Sequence, residues 1–192
     1  MQNLRGEDIG IIAPYAAQIK LLTRLLNSDP TYKQRFKDVL GDQLAMQLEQ
    51  VEVKTVDGFE GREKEIIIFS TVRNNSQGQI GFLADRRRLN VGLTRAKRGL
   101  FVIGNLQTLQ TSNQVNHHRV RARKGAASWR RYADFLTEGG MVVRLSEGAL
   151  LEALYGPSNL LDKPDVLETL LQTEWVHPTG QEHAFNRTRE IL

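Results

Sequence analysis

Residues 65–72 read EIIIFSTV, and this apolar run, rich in β-branched isoleucine, decides the fold of the chain. A run of this kind needs cover on both faces, which is typical of a central strand in a parallel sheet. It lies within the longer segment TVDGFEGREKEIIIFSTVR (55–73), and RRRLNVGLTRAKRG (86–99) follows closely. The two segments predict a strand, a helix and a further strand, with charged residues at the connections between them.

Similar patterns on either side of this strand predict an α/β chain. Residues 8–14 (DIGIIAP) form a short apolar run ended by proline, and residues 16–26 (AAQIKLLTRLL) carry leucine and isoleucine at helical spacing. Further elements are predicted as strands at 51–55, 100–103 and 141–145, and as helices at 87–97 and 129–136. Strands that alternate with helices imply a mainly parallel sheet.

The chain divides into one domain and a tail. Residues 1–145 hold all the predicted strands, with a polar, helix-compatible excursion at 29–50 and a basic loop at 111–128. In residues 146–192, glycine and proline interrupt the apolar pattern. We therefore predict a partly helical C-terminal tail, with short helices at 148–155 and 164–173.

Composition narrows the class of protein. The chain is 40% hydrophobic and 25% charged, as soluble globular proteins are, and no apolar run approaches the roughly 20 residues that cross a bilayer. It has no cysteine, which excludes disulfides and thiolate metal sites, and its N-terminus lacks the apolar core of a signal peptide. We expect an intracellular protein, cytoplasmic or nuclear, without a membrane partner. The net charge of +4 is a mild argument for a polyanionic partner.

A glycine-bearing acidic turn occupies residues 57–64. Ligands of parallel sheets gather beyond the carboxyl ends of the strands, and we expect Tyr15, the turn from Asp57 to Glu63, and Arg73 to Asn75 to lie there. Gly58 and Gly61 allow the turn to bend tightly and a ligand to approach the backbone. On these residues alone, an ordinary acidic turn is the favoured interpretation.

Arg88 and Arg95 are seven residues apart, which would put them on nearly the same face of the predicted helix. A guanidinium group held in this way can stabilise charge on a transferring phosphoryl group. The alternative is a solvated basic face, and without further context that alternative is the simpler one.

A second basic segment, HHRVRARK (117–124), precedes Trp129 and Tyr132. These residues are able to contact phosphates and stack on bases. The favoured alternative is a basic loop that leads into a core helix, with Trp129 and Phe135 buried. The paired histidines have no further ligand at metal-binding spacing, so we predict no metal site.

Three segments in fixed order carry a family resemblance: DIGIIAPYAAQ (8–18), TVDGFEGREKEIIIFSTVRNN (55–75) and IGFLADRRRLNVGLTRAKRGLFVIGN (80–105). They resemble the C-terminal, second RecA-like domain of superfamily-1 helicases, in the group that contains the nonsense-mediated-decay RNA helicase and senataxin. The resemblance is close over residues 9–105 and looser over 129–145. It implies a RecA-like three-layer α/β domain and outweighs both of the simpler interpretations given above.

The resemblance also implies a role for each matching residue. ATP would be the substrate, with Gly61 allowing its close approach, Glu63 holding the ribose and Arg95 acting as the catalytic arginine finger. Arg88 would be a supporting residue. The side of the domain that faces single-stranded RNA or DNA would carry Tyr15, Gln18, Thr55, Val56 and Asp57.

The chain contains no G-x-x-x-x-G-K-[ST] phosphate loop and no acidic metal-binding motif after a strand. The resemblance therefore implies half of a motor, inactive alone, whose first RecA-like domain supplies the phosphate loop and the Mg²⁺ ligands. The alternative is a non-catalytic module that keeps the helicase fold and binds nucleic acid or protein. Glu60 and Gly92 depart from the glutamine and alanine that are frequent in the family, and Gly92 would lower helix propensity by about 1 kcal/mol.

Overall fold

The computed structural model describes residues 4–112 and 120–144, which contain a four-stranded parallel sheet flanked by helices. The strands lie in the order β2-β1-β3-β4, so that Ile11 of β1 pairs with Val53 of β2 on one side and Ile68 of β3 on the other. Their bounds are β1 Ile9–Ala13, β2 Glu52–Thr55, β3 Lys64–Ser70 and β4 Ala96–Ile103. The predicted α/β fold with a mainly parallel sheet is confirmed.

Helices lie on both sides of the sheet. Right-handed crossovers put the helix that joins β1 to β2 on the opposite face from the helix that joins β3 to β4. The polar excursion at 29–50 consists of two helices and a 3-10 turn without a fully buried residue. The helices are α1 Ala16–Asn27, α2 Pro30–Leu40, α3 Asp42–Met46, α4 Arg86–Leu93, α5 Leu106–Gln110 and α6 Val120–Glu138.

A short crossover segment, residues 56–63, connects β2 to β3 over the strand that separates them. Phe59 lies at its centre, is fully buried and packs directly on β1. A Cβ atom added at Gly10 would lie 2.6 Å from the Phe59 ring, so only glycine leaves room for this contact. The segment therefore carries the chain from the edge of the sheet where the strands end, the carboxyl edge, to the edge where they begin, the amino edge.

The core on the α6 side is built around Trp129, which is fully buried. Its indole Nε1 donates a hydrogen bond to the Leu83 carbonyl at 2.9 Å, and its ring lies 5.9 Å from that of Phe69. Tyr132 packs against the indole edge and is also buried. The preferred interpretation of Trp129 as a core residue is confirmed, and base stacking by Trp129 or Tyr132 is excluded.

Three predicted boundaries are wrong. The helix expected at 87–97 ends at Leu93, because the Thr94 hydroxyl donates to the Asn90 carbonyl and pairing with β3 begins at Ala96. The strand expected at 141–145 is not formed by residues 141–144, which follow the turn after α6. The basic loop expected at 111–128 is helical from Val120, because α6 begins there.

Several predictions fall outside the described residues. These are the histidine pair at 117–118, the end of the fifth strand at Leu145, and the tail of residues 146–192 with its two short helices. In the parts that are described, no helix is long and apolar enough to cross a membrane.

Candidate functional site

The residues expected to form one site lie at two opposite edges of the sheet. Tyr15 follows the end of β1 and Asp57 follows the end of β2, whereas Glu63 and Arg95 immediately precede β3 and β4. All four strands run the same way, so these pairs occupy the carboxyl and the amino edge respectively. The expectation that Glu63 lies beyond a carboxyl strand end is wrong, because the crossover segment has already passed across the sheet.

At the amino edge, Glu63 and Arg95 are neighbours. The backbone N–H of Lys64 donates to the carbonyl of Arg95 at 3.1 Å, and Lys64 pairs in register with Ala96. The two residues just before these strands are thereby held side by side. Glu63 is exposed and takes part in no salt bridge within the described residues.

The Arg95 guanidinium is anchored to the end of α4. Its Nε donates to the Val91 carbonyl at 3.1 Å, and one Nη donates to the Thr94 hydroxyl at 2.9 Å. A guanidinium has five N–H donors. Because the negative end of the helix dipole and the Val91 carbonyl hold one side of the half-buried Arg95 side chain, the remaining donors are available to an anion.

Gly61 lies in the crossover just before this pair. Its φ of +75° is the left-handed conformation that favours glycine, and no atom lies within 4 Å of the position where a Cβ would be. The backbone at Gly61 is therefore open to close approach by a ligand.

At the carboxyl edge, Asp57 and Arg88 form an ion pair. Arg88 Nε and one Nη donate to the two Asp57 carboxylate oxygens at 2.9 Å and 3.0 Å. The hydrogen bonds from Arg88 lower the pKa of Asp57, and those to Asp57 raise the pKa of Arg88. The expectation that Arg88 and Arg95 share a helix face is wrong, since Arg88 is in the first turn of α4 and Arg95 lies beyond its end.

The same guanidinium lies 3.6 Å from the ring centroid of Phe82. The Phe82 ring contacts that of Tyr15, with centroids 6.1 Å apart, and Arg73 donates from Nε to the Tyr15 hydroxyl at 2.6 Å while lying 4.9 Å over its ring. We call this chain of contacts, Arg73–Tyr15–Phe82–Arg88, the aromatic row. Arg73 was expected at a carboxyl strand end and lies just after β3, whereas no role was predicted for Phe82.

The other residues expected to face nucleic acid differ in exposure. Gln18 is half-buried in the first turn of α1, and the Thr55 hydroxyl accepts a hydrogen bond from the Gly58 N–H at 3.2 Å. Val56 is only 1% exposed and packs in the hydrophobic core. The Val56 side chain thus supports the turn and is not accessible to a strand of nucleic acid.

Val72, between β3 and Arg73, has a strained backbone. Its φ is +65°, and the N–H of Arg73 donates to the Thr71 carbonyl at 2.7 Å, which closes a γ-turn around it. A β-branched residue in this region is an outlier, and such strain is concentrated at functional sites. The turn fixes the direction in which Arg73 leaves the sheet.

Comparison with known proteins assigns the family. Residues 1–107 match the family described as "AAA domain". The chain belongs to this family. The chain is 44% identical to "Helicase sen1" of Schizosaccharomyces pombe over 111 residues, which is 58% of the chain and 6% of that relative. This similarity to a helicase confirms the resemblance to the superfamily-1 group.

Two further relatives are similar over a comparable share of the chain. The "Regulator of nonsense transcripts 1 homolog" of Neurospora crassa is 42% identical over 60% of the chain and 10% of its own length. The "DNA polymerase alpha-associated DNA helicase A" of Saccharomyces cerevisiae is 41% identical over 56% of the chain and 14% of its own length. The chain thus spans about a tenth of the length of the curated relatives it matches.

Potential metal ligands are not clustered in the part of the chain that the structure describes. Among residues 4–112 and 120–144, no three His, Cys, Asp or Glu side chains lie close enough together to hold a metal ion. Glu52, the first residue of β2, is already paired with Lys54, Arg62 and Lys64.

Proposed function

We propose that this AAA domain is the second, C-terminal motor domain of an ATP-dependent helicase that acts on RNA or DNA. The helicases it resembles support this proposal, since three of them are 41%, 42% and 44% identical over 56%, 60% and 58% of the chain. The observation that carries it is the side-by-side position of Glu63 and Arg95 at the amino edge, just before two adjacent parallel strands begin.

In this proposal ATP binds between the amino edge and the first RecA-like domain. The Glu63 carboxylate accepts hydrogen bonds from the ribose hydroxyls, and the open backbone at Gly61 allows the nucleotide to come close. Arg95 reaches the γ-phosphate with the donors that Val91 and Thr94 leave free, and stabilises the charge that develops there.

Mg²⁺ accompanies ATP in this proposal and neutralises phosphate charge. The described residues of this chain do not form a set of ligands for it, so the first RecA-like domain is expected to supply them together with the phosphate loop. We expect the chain to be inactive as an ATPase until that domain is joined to it. An intracellular location, cytoplasmic or nuclear, goes with such a motor.

The nucleic-acid track is proposed to follow the carboxyl edge. Tyr15, Gln18 and Thr55 lie along it, with Asp57 and Val56 in the turn that follows β2. Arg88 supports this turn through its ion pair with Asp57. Nucleic acid at one edge and ATP at the other would let closure of the two domains move the strand.

The test is an Arg95→Ala substitution in this domain joined to its upstream RecA-like partner. We expect nucleic-acid-stimulated ATP hydrolysis to fall by about 10³-fold or more, with a much smaller change in the KM for ATP. The matched control is Arg98→Ala, which removes an exposed arginine of β4 that pairs with Glu65. If Arg95→Ala retained full activity, the motor role would be wrong and a non-catalytic binding module would be favoured.

A Glu63→Gln variant tests the ribose contact separately. Joined to the upstream RecA-like domain, the unmodified chain should prefer ATP over 2′-deoxy-ATP, and the variant should lose most of that preference through a higher KM for ATP. An unchanged ratio of the two KM values would contradict the assignment of Glu63.

A further inference from the structure

The aromatic row has the chemistry of a surface for single-stranded nucleic acid. It places two neighbouring rings between two arginines and is assembled from separate parts of the chain: Tyr15 after β1, Arg73 after β3, Phe82 in a 3-10 turn and Arg88 in α4. Proteins that bind single strands without reading sequence combine aromatic faces, on which bases stack, with arginines along the backbone.

Phe82 is the exposed member of this row. It is 39% exposed, although Arg88 covers one side of its ring and Tyr15 contacts it. The Arg88 guanidinium is itself fixed by both oxygens of Asp57, so the ring rests on a rigid support. A rigid, partly exposed aromatic ring next to cations is a stacking platform that loses little conformational entropy on binding.

Arg73 is the cation of the row that stays unpaired with a carboxylate. The salt bridges between described residues do not include it, and its Nε contact is to the neutral Tyr15 hydroxyl. The strained turn at Val72 directs it toward Tyr15, and a Cβ at Gly81 would lie only 2.6 Å from Arg73 Nη2. Both backbone features keep the guanidinium in one place, which suits a phosphate contact.

Asp57 is not expected to contact nucleic acid directly. A carboxylate facing the phosphates of a strand would be repelled, and both of its oxygens are engaged by Arg88. Because Arg88 in turn supports Phe82, Asp57 acts through them as a positioning residue.

We propose that Phe82, together with Tyr15, stacks a base of single-stranded RNA or DNA, that Arg73 contacts the adjacent phosphate, and that Asp57 only holds Arg88 under the ring. This deepens the proposed function, on whose nucleic-acid track it rests. The row lies at the edge of the sheet opposite Glu63 and Arg95, so a strand bound there leaves the nucleotide residues accessible.

The test measures binding of the 192-residue chain to fluorescent single strands of roughly 12 nucleotides, a length within the range that one small domain covers. RNA and DNA strands are each compared with an abasic strand of equal charge. Phe82→Leu should weaken binding of the base-bearing strands roughly 5- to 100-fold and leave the abasic strand unchanged, whereas Phe82→Trp should restore binding. Phe101→Leu, which alters an exposed ring on β4, is the control and should have no effect.

Arg73→Gln should weaken both kinds of strand alike and reduce the salt dependence of binding by about one phosphate contact. Circular dichroism of each variant verifies its fold. If the unmodified chain binds and Phe82→Leu binds equally well, the stacking platform is overturned while the motor proposal stands. If the unmodified chain binds neither RNA nor DNA, both the platform and the proposed track are wrong.

Discussion

Asp57 and Arg88 join the turn after β2 to the first turn of α4 through two parallel hydrogen bonds of 2.9 Å and 3.0 Å. The pair links the acidic turn to α4 across 31 residues of the chain. Because the same guanidinium supports Phe82, the geometry of the carboxyl edge depends on this one ion pair.

A double-mutant cycle of Asp57→Asn and Arg88→Gln should give a coupling free energy of about 0.5–1 kcal/mol in urea unfolding at neutral pH, because both side chains are partly exposed. Arg88 lowers the pKa of Asp57 in the folded state. The stabilisation by the ion pair is therefore fully present above the pKa of Asp57 in the unfolded chain, about 4, and is lost as pH falls through its lower pKa in the folded state. Coupling that persisted in strong acid would contradict the assignment.

Gly92→Ala should destabilise the domain, although alanine is the better helix former. A Cβ at this position would lie 2.3 Å from the Phe69 ring, which is fully buried against Trp129. We expect a loss of about 1–3 kcal/mol in the free energy of unfolding, larger than the gain of about 1 kcal/mol in helix propensity. Asn90→Ala, exposed on the same helix, is the control and should be neutral or slightly stabilising.

Tyr132→Phe should flatten the alkaline limb of the stability profile. Burial raises the pKa of Tyr132 to about 12, so its neutral hydroxyl is favoured in the folded state. The resulting stability is present below the unfolded pKa of about 10 and is lost as pH rises from there to about 12, by at most about 3 kcal/mol. Unfolding of both proteins between these pH values measures the difference, and identical slopes would refute it.

Val72→Gly should cost less than an ordinary Val→Gly change. Valine at φ +65° stores about 1–3 kcal/mol of strain that glycine releases, which offsets the lost side chain. We expect a change in unfolding free energy below about 1 kcal/mol, against about 2 kcal/mol or more for Val102→Gly in β4. Equal losses for the two variants would show that the γ-turn is not strained.

The parts of the fold that were predicted correctly depend on local pattern. The apolar run at 65–72 needs a buried strand whatever surrounds it, and residues 16–26 need an amphipathic helix. The end of α4 was not predictable, because Leu93, Thr94 and Arg95 are compatible with a helix and only pairing of Ala96 with Lys64 ends it. That pairing is a tertiary contact, and no local sequence pattern predicts it.

The division of the site between the two edges of the sheet could not be predicted from the sequence for a related reason. Asp57 and Glu63 are close in sequence, and a turn that stays at one edge has the same composition as one that crosses the sheet. The strand order decides between them, because β1 lies between β2 and β3 and the connection must pass over it. No role was predicted for Phe82, because the exposure of a single ring depends on the residues that pack around it.

The crossover segment, residues 56–63, begins beside the ion pair at one edge and ends beside Glu63 at the other. Between them it rests on one buried ring, Phe59, set against the bare backbone of Gly10. In the proposed motor, a tilt of this segment about Phe59 would displace both of its ends at once. Binding of nucleic acid at one edge and of nucleotide at the other would then be coupled without any rearrangement of the sheet itself.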